Sequence, residues 1–450
     1  MAEYDLTPTL SKFFDRHLII PLLEFLGGRQ LYDMNDIGKA KIKVLQDTKM
    51  FDYLLQEYAT LTDGTSPPPE IQRKREEVME DFARISEQKQ EILEYFQIPA
   101  VQKLIEDVPD SNVLYEQLCK EHNFGSDMLD KIYDWAKFNF ETGNYQEATQ
   151  FLDLFRSVAP TSHSKQRSAR WGKAAGEILL QDWNTALEDL QQLKTDIDSS
   201  ANPTEMDRNS VPIAELLTER AWLIHWSLYV FFNHPQGKDK IVEWCLGSAD
   251  YLNAIQTLCP HILRYLVVAI LANKNKRRQH LKEVKDVIEI IKQESSNYSD
   301  PVTEFVISVF VEFDFEKSQK KLQECVVVLE NDFFLVGCVI DFIASARKYI
   351  FETYCRINSR ISIASIAETL NLGVDDAEKW IANVIREARL DAKIDAAKGE
   401  VLMGTPALSS YQMLIEKTKN LALRTQQMVN AVEKKAGPRP APFQEANVNY

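Results

Sequence analysis

The chain of 450 residues lacks the short patterns that usually announce chemistry. No cysteines stand as C-x-x-C, and neither H-E-x-x-H nor H-x-H occurs, which removes the common zinc sites. No two glycines have G-x-G spacing, so no dinucleotide loop can be drawn, and the P-loop and the G-x-S-x-G elbow are missing as well. Cysteine is sparse: Cys119, Cys245, Cys259, Cys325, Cys338 and Cys355 sit in apolar surroundings such as Val336-Gly337-Cys338-Val339-Ile340. That pattern suits reduced, buried thiols in a cytosolic protein rather than a disulfide framework. The longest apolar run, Ala221–Phe232, contains His225 and falls short of the ~18 residues a membrane span needs. Met1-Ala2-Glu3-Tyr4-Asp5 has no basic start of the signal-peptide kind. Cys259-Pro260-His261 comes nearest to a ligand cluster, and its ordinary reading is a helix start with a buried thiol. His225 and His234 bracket an apolar helix as core and cap residues. Asp and Glu abound, but on helix faces, where solvated charge is the norm. The expectation is therefore no catalytic residue, no metal, no cofactor and no membrane contact.

What is present is an ordinary globular composition with an acidic bias. Hydrophobic residues make up 45% and charged residues 26%, enough for a large core, and the length calls for two or three domains. With 67 acidic against 52 basic residues the net charge is −15, which repels nucleic acid at long range and does not suit an anionic membrane. The one basic cluster is Lys274, Lys276, Arg277, Arg278, His280 and Lys282. It reads as a solvated loop and helix start, with RNA contact or a weak nuclear signal as the other option.

Helical signals follow one another along the chain. Thr7-Pro8 opens a first helix, Pro21 interrupts it, and Gly27-Gly28 stops the run. Thr62–Pro69 is a polar, proline-rich loop, and Glu70–Phe96 is a long charged helix with an apolar stripe. From about Val113 the helices pair. Tyr133 to Ala148 resembles a tetratricopeptide hairpin, an aromatic helix followed by Gly143-Asn144 and then a small Ala148. The same turn recurs at Asp182-Trp183 with Ala186 and at Asp314-Phe315 with Ser318. Tyr145 and Trp183 stand 38 residues apart (145 to 183), near the ~34 of such repeats. A superhelical repeat stack explains this better than unrelated hairpins. Ser199–Pro212 is a second loop, Leu216–Phe232 is apolar all round and hence buried, and Asn331–Ile357 carries a long core stripe.

Strand-like alternation begins only at Ile361. Ile361-Ser362-Ile363 gives a short strand, Ile366, Ala367 and Leu370 line a helix, and Ala377, Trp380, Ile381, Val384, Ile385 and Ala388 form the inner face of the next helix. Leu390–Asp395 and Glu400–Met403 then alternate around Ala396–Gly399 as a hairpin. This is a winged helix, but its presumed reading helix opens with Asp375, Asp376 and Glu378, where phosphates would have to approach. Such a charge points to protein–protein assembly rather than duplex reading. A last helix runs from Ser409 to Lys435 with Leu414, Leu421 and Met428 seven apart, a bundle or coiled-coil seam wanting a partner. The proline-rich tail beyond reads as disordered.

Helical repeats, a winged helix and a terminal helix together resemble the PCI-domain scaffold family. That family supplies subunits of the proteasome lid, the COP9 signalosome and eukaryotic translation initiation factor 3. Met1-Ala-Glu-Tyr-Asp-Leu-Thr7, Pro21–Leu26, Trp222–Leu228 with Phe231–Pro235, Tyr251–Thr257 with Cys259–Leu266, Asn331–Leu335 and Arg389–Asp395 are similar to its initiation-factor members. The resemblance implies a mainly α fold: a right-handed superhelical stack of TPR-like helical hairpins, then a winged helix (the PCI domain) and a C-terminal helix. The expected divisions are residues 1–62 (N-terminal helical segment), 70–212 (helical repeats), 213–357 (helical part of the PCI domain), 358–405 (winged helix), 409–435 (bundle helix) and 436–450 (disordered tail). It further implies a non-catalytic scaffold in the cytoplasm, with a nuclear pool left open. Expected partners are other initiation factor 3 subunits of PCI and MPN type and the 40S ribosomal subunit, with RNA contact indirect or minor, in support of pre-initiation complex formation and mRNA recruitment. In such assemblies the winged helices pack through their small sheets. Carried onto this chain, the contact residues are Ile361, Ile363, Arg389, Lys393, Ile394, Val401 and Met403, and Leu414, Leu421 and Met428 form the bundle seam. A scaffold of the proteasome lid or signalosome, and a winged-helix transcriptional regulator, are the alternatives.

Overall fold

The computed structural model describes residues 4–62, 68–108, 110–122, 124–201, 212–273, 277–370, 373–388, 391–395, 398–404 and 410–436. The chain divides into two compact units, Met1–Ile350 and Phe351–Tyr450. It is a helical stack followed by a winged helix and a terminal helix. Among the described residues no helix is long and apolar enough to cross a membrane. The loop segments 63–67 and 202–211 and the tail 437–450 lie outside the described residues.

In the first unit most helices from Ser126 onward pack on the next in sequence. The recurring turn has one physical basis. Each hairpin's first helix ends in a left-handed residue, namely Gly143 (φ 91°), Gln181 (φ 61°) and Phe313 (φ 56°). The amide after it reaches back to cap the helix: Asn144 N to Asn139 O at 2.8 Å, Asp182 N to Glu177 O at 3.1 Å, and Asp314 N to Ser308 O at 3.0 Å. The aromatic that follows starts the second helix, and the small residue three further on is fully buried: Ala148, Ala186 and Ser318. A larger side chain there would hold the two helices apart. In the third copy a π-helical turn, Ser308–Glu312, precedes the left-handed residue. There φ is positive at Phe313, a rare conformation for a bulky aromatic, and its side chain is exposed.

Pro21 and Gly27-Gly28 do not end a helix. After a short Thr7–Leu10 turn, Asp15 caps a helix Arg16–Arg29 that runs through all three residues. Burial of Leu18, Ile19, Ile20, Leu22, Leu23 and Leu26 outweighs the missing amide and the two glycines. At roughly 1.5–3 kcal/mol per buried side chain, such a face exceeds the ~3 kcal/mol cost of an internal proline.

The middle of this unit is its driest part. Ile213–Asn233 buries residues on every side, and no residue of Ile262–Ala272 is exposed. Arg264 is therefore enclosed, at 1% exposure. Its guanidinium donates to Asp300 Oδ2 at 2.6 Å, to Asp332 Oδ2 at 3.5 Å and to the Tyr4 carbonyl at 3.0 Å. The Tyr265 hydroxyl donates to Asp332 and the Tyr298 hydroxyl to Asp300. Asp300 also closes a capping box with Thr303. This hub ties the N-terminal segment to residues that lie 260 positions along the chain.

In the second unit three short strands form an antiparallel sheet, β1 (Arg360–Ser362), β2 (Ala392–Asp395) and β3 (Glu400–Met403), in the order β1-β3-β2. Helices Ile363–Leu370 and Val374–Ala388 complete the winged helix. Its core gathers Ile361, Ile363, Ile366, Ala377, Ile381, Val384 and Val401. Trp380 packs edge to face on Phe351 at 5.5 Å.

Candidate assembly surfaces

Strand order decides which sequence-predicted residues can face a partner. β3 is central, pairing Ile361 with Val401 on one side and Ile394 with Val401 on the other. Val401 therefore has no exposed surface, and Ile361 and Ile363 are buried beside it in the winged-helix core. Their side chains hold the sheet together from inside. What faces outward is Lys393, with Ile394 and Met403 half-buried. Arg389 lies outside the described residues. Among the described residues the sheet ends at β1 and β2, so those two strands offer backbone donors and acceptors for a neighbour.

The terminal helix spans Ser410–Ala436. Every residue in it whose exposure is described is exposed. Leu414 is 66%, Leu421 63% and Met428 72% exposed, with Ile415, Val429 and Val432 beside them. Thr418 and Thr425 lie on the same flank. Their hydroxyls donate to the Leu414 and Leu421 carbonyls at 2.7 and 2.9 Å, which satisfies those hydroxyls along the apolar flank. The seam is thus broader than the three residues seven apart.

The presumed reading helix is Val374–Ala388, with four carboxylates against two basic side chains. Asp376 is exposed, and Lys379 is turned back toward it at 4.0 Å. Of the basic cluster, Lys282 is exposed on helix Arg277–Glu294, while Lys274 and Lys276 lie outside the described residues.

The histidines that the sequence presents separately come together. His225 Nε2 and His261 Nε2 stand 2.8 Å apart, both buried, with Phe13 stacked on His225 at 4.1 Å. His225 Nδ1 lies 2.6 Å from the Ala221 carbonyl, which can only accept, so Nδ1 carries the proton. His225 Nε2 is then the acceptor and His261 Nε2–H the donor. Burial lowers His225 to about 4, and burial together with His225 and Arg264 lowers His261 to about 3. His234 caps its helix and meets Asn184 Oδ1 at 3.1 Å. Cys259 is buried, its thiol pushed up to about 12 by burial. Among the described residues no group of three His, Cys, Asp or Glu is placed to hold a metal.

A second buried charge group has no sequence signature at all. Lys173 bridges Glu177 at 3.3 Å and Asp189 at 3.1 Å, and Arg156 donates to Asp189 at 2.8 Å. Burial and the Asp189 carboxylate raise Glu177 to about 8, against the pull of Lys173. Burial opposes ionisation of Asp189 too, but the Arg156 hydrogen bond and Lys173 hold it below the usual carboxylate range. This group and the Arg264 hub are structural, each enclosed among the helices of the first unit.

Three family descriptions match the chain. They are the N-terminal domain of eIF3 subunit 6 over residues 5–139, the PCI domain over 322–405, and the C-terminal region of the E subunit of eukaryotic translation initiation factor 3 over 409–429. Among curated proteins, the E subunit of eukaryotic translation initiation factor 3 from Bombyx mori is 41% identical over 436 residues, covering 96% of each chain. The proteins of the same name from Drosophila persimilis and Drosophila erecta are also 41% identical over 436 residues, with 97% of each chain covered.

Proposed function

The chain belongs to the family of E subunits of eukaryotic translation initiation factor 3, and from that premise we propose that it joins its complex through two surfaces of the second unit. It is a PCI-domain scaffold subunit of that factor. The outer edges of β1 and β2, with Lys393, Ile394 and Met403 beside them, take the winged-helix sheets of neighbouring PCI subunits. The seam of Leu414, Leu421 and Met428 packs into a bundle with helices of other subunits, of PCI and MPN type. The assembled factor then sits on the small ribosomal subunit in the cytoplasm and supports pre-initiation complex formation and mRNA recruitment. The chain's part is to hold subunits in place without a catalytic step, and its own contact with RNA is minor.

The observation that carries this reading is the terminal helix, exposed on all described sides and apolar along one. An isolated helix of that kind leaves apolar surface in water that a partner would cover. The acidic start of helix Val374–Ala388 favours protein over duplex DNA as the partner of the winged helix. Affinity purification of the tagged chain from a gentle lysate, with mass spectrometry and a sucrose gradient, tests the reading. Migration with the 40S fraction and other PCI subunits is expected. Migration with proteasome, signalosome or chromatin would overturn it.

A further inference from the structure

A cavity of about 190 Å³ opens in the first unit. Its walls come from distant parts of the chain: Leu6 and Leu10 of the N-terminal segment, Phe25 of helix Arg16–Arg29, Val328 of helix Phe315–Glu330, and Phe333 and Phe334. The aromatic wall is interlocked, with Phe25 edge to face on Phe333 at 5.5 Å and Phe333 edge to face on Phe334 at 5.0 Å. A cavity of roughly 150 Å³ with apolar walls accepts benzene, so this one has room for an aromatic ring or a branched aliphatic side chain.

Its charge is one-sided. Asp5, Glu324 and Asp332 line it against a single cation, Arg264, whose guanidinium is already engaged by Asp300 and Asp332. Glu324 is paired with Lys321 at 2.7 Å. Asp5 is different. Its carboxylate accepts from the Thr7 amide at 2.9 Å, the Thr7 hydroxyl at 2.7 Å and the Tyr32 hydroxyl at 2.7 Å, all neutral donors. Among the described residues no cation is paired with it. Arg29 lies over the Phe25 ring at 5.1 Å and is not part of the lining.

We propose that this cavity is a docking site for a partner polypeptide, which seats one aromatic or branched apolar side chain against Phe25, Phe333 and Phe334 and sets an adjacent Lys or Arg against Asp5. The apolar walls supply burial, and the uncompensated carboxylate selects the charge beside it. The proposal does not rest on the assembly role of the second unit.

The test uses the full chain and blocked dipeptide amides followed by saturation-transfer NMR. Acetyl-Trp-Lys amide should bind saturably and about tenfold more tightly than acetyl-Trp-Glu amide, the worth of one charge-assisted contact, while acetyl-Ala-Lys amide should not bind. Asp5→Asn should remove most of that preference and leave the ring contact. Val328→Trp, which fills the cavity, should abolish binding with the thermal midpoint unchanged. If that variant does not fold, Phe25→Ala at a half-buried position should weaken binding instead. Equal binding of the Lys and Glu amides, or binding indifferent to the cavity variants, would overturn the proposal. Tryptamine binding while acetyl-Trp-Lys amide does not would overturn the polypeptide as its source.

Discussion

Replacing Arg264 by methionine keeps an unbranched apolar stem and removes the charged guanidinium. Asp300 and Asp332 then share a buried site without the Arg264 cation, and the Arg264 hydrogen bond to the Tyr4 carbonyl is gone. Breaking a buried ion pair by deleting one partner costs about 3–5 kcal/mol. Here both carboxylates keep other donors: Asp332 accepts from the Tyr265 hydroxyl and the Phe334 and Leu335 amides, and Asp300 from the Tyr298 hydroxyl and the Thr303 amide. Those bonds place the loss at the lower end, about 3 kcal/mol at pH 7.5. Burial already holds the Asp332 carboxyl above the ordinary carboxylate range against the pull of Arg264, and without the arginine it is raised further. The penalty is therefore greatest above that raised pKa and shrinks on acidification, so the loss at pH 5 should be smaller. Urea unfolding followed by tryptophan fluorescence suits the measurement, since six of the seven tryptophans lie in the first unit. The variant's midpoint should fall at unchanged slope. The triple variant Arg264→Met, Asp300→Asn, Asp332→Asn should recover most of the loss. A loss below about 1 kcal/mol, or a triple variant no better than the single one, would refute the electrostatic account of the hub.

The remaining predictions concern pH and one turn. Glu177 is raised to about 8, so the folded state holds a proton that the unfolded chain has released, and its stabilising contribution is lost as pH climbs from the ordinary carboxylate range to about 8. Glu177→Gln keeps a donor toward Asp189 and should flatten that part of a stability–pH curve; an unchanged slope would count against the pair. The histidines run the other way. Both are held neutral, at about 4 and about 3, so acidification below the ordinary histidine range should destabilise the fold. A His225→Phe, His261→Leu double variant should lose that acid sensitivity in thermal melts between pH 4.5 and 7, and a double variant as acid-labile as the parent would contradict the assignment. Gly143→Ala should destabilise the fold by about 1 kcal/mol in urea unfolding, because φ is 91° there and the new Cβ would meet Met50 Cε at 3.0 Å. A neutral result would mean that the turn relaxes.

The local layer of the fold is readable because it repeats. An aromatic followed by a small residue three places on marks each hairpin turn, since the geometry needs a plug and then a close approach, and the structure adds a left-handed residue before each pair. The inner face of helix Val374–Ala388 is readable from spacing alone: Ala377, Ile381 and Val384 are buried as their periodicity implies. Interactions across long stretches of chain are not. Arg264 meets partners 36, 68 and 260 residues away, and His225 meets His261 across 36, with no motif joining them. The hairpin of the winged helix is legible as a hairpin, but alternation cannot say which strand is central. That order buries Val401 and leaves Lys393 outside. Pro21 misleads for a related reason, because propensity is local and the burial that overrides it is not.

Assembly through the terminal helix is tested most directly by Leu421→Asp. Leu421 is 63% exposed, so the variant's circular dichroism and thermal midpoint should match the parent's. Expressed in cells with a tag, the variant should be recovered with the other initiation factor 3 subunits at no more than about a tenth of the parent's yield, as burying an unpaired carboxylate in a helical seam would dictate. Recovery of the full complex at parental stoichiometry would contradict the claim that this seam joins the chain to its partners.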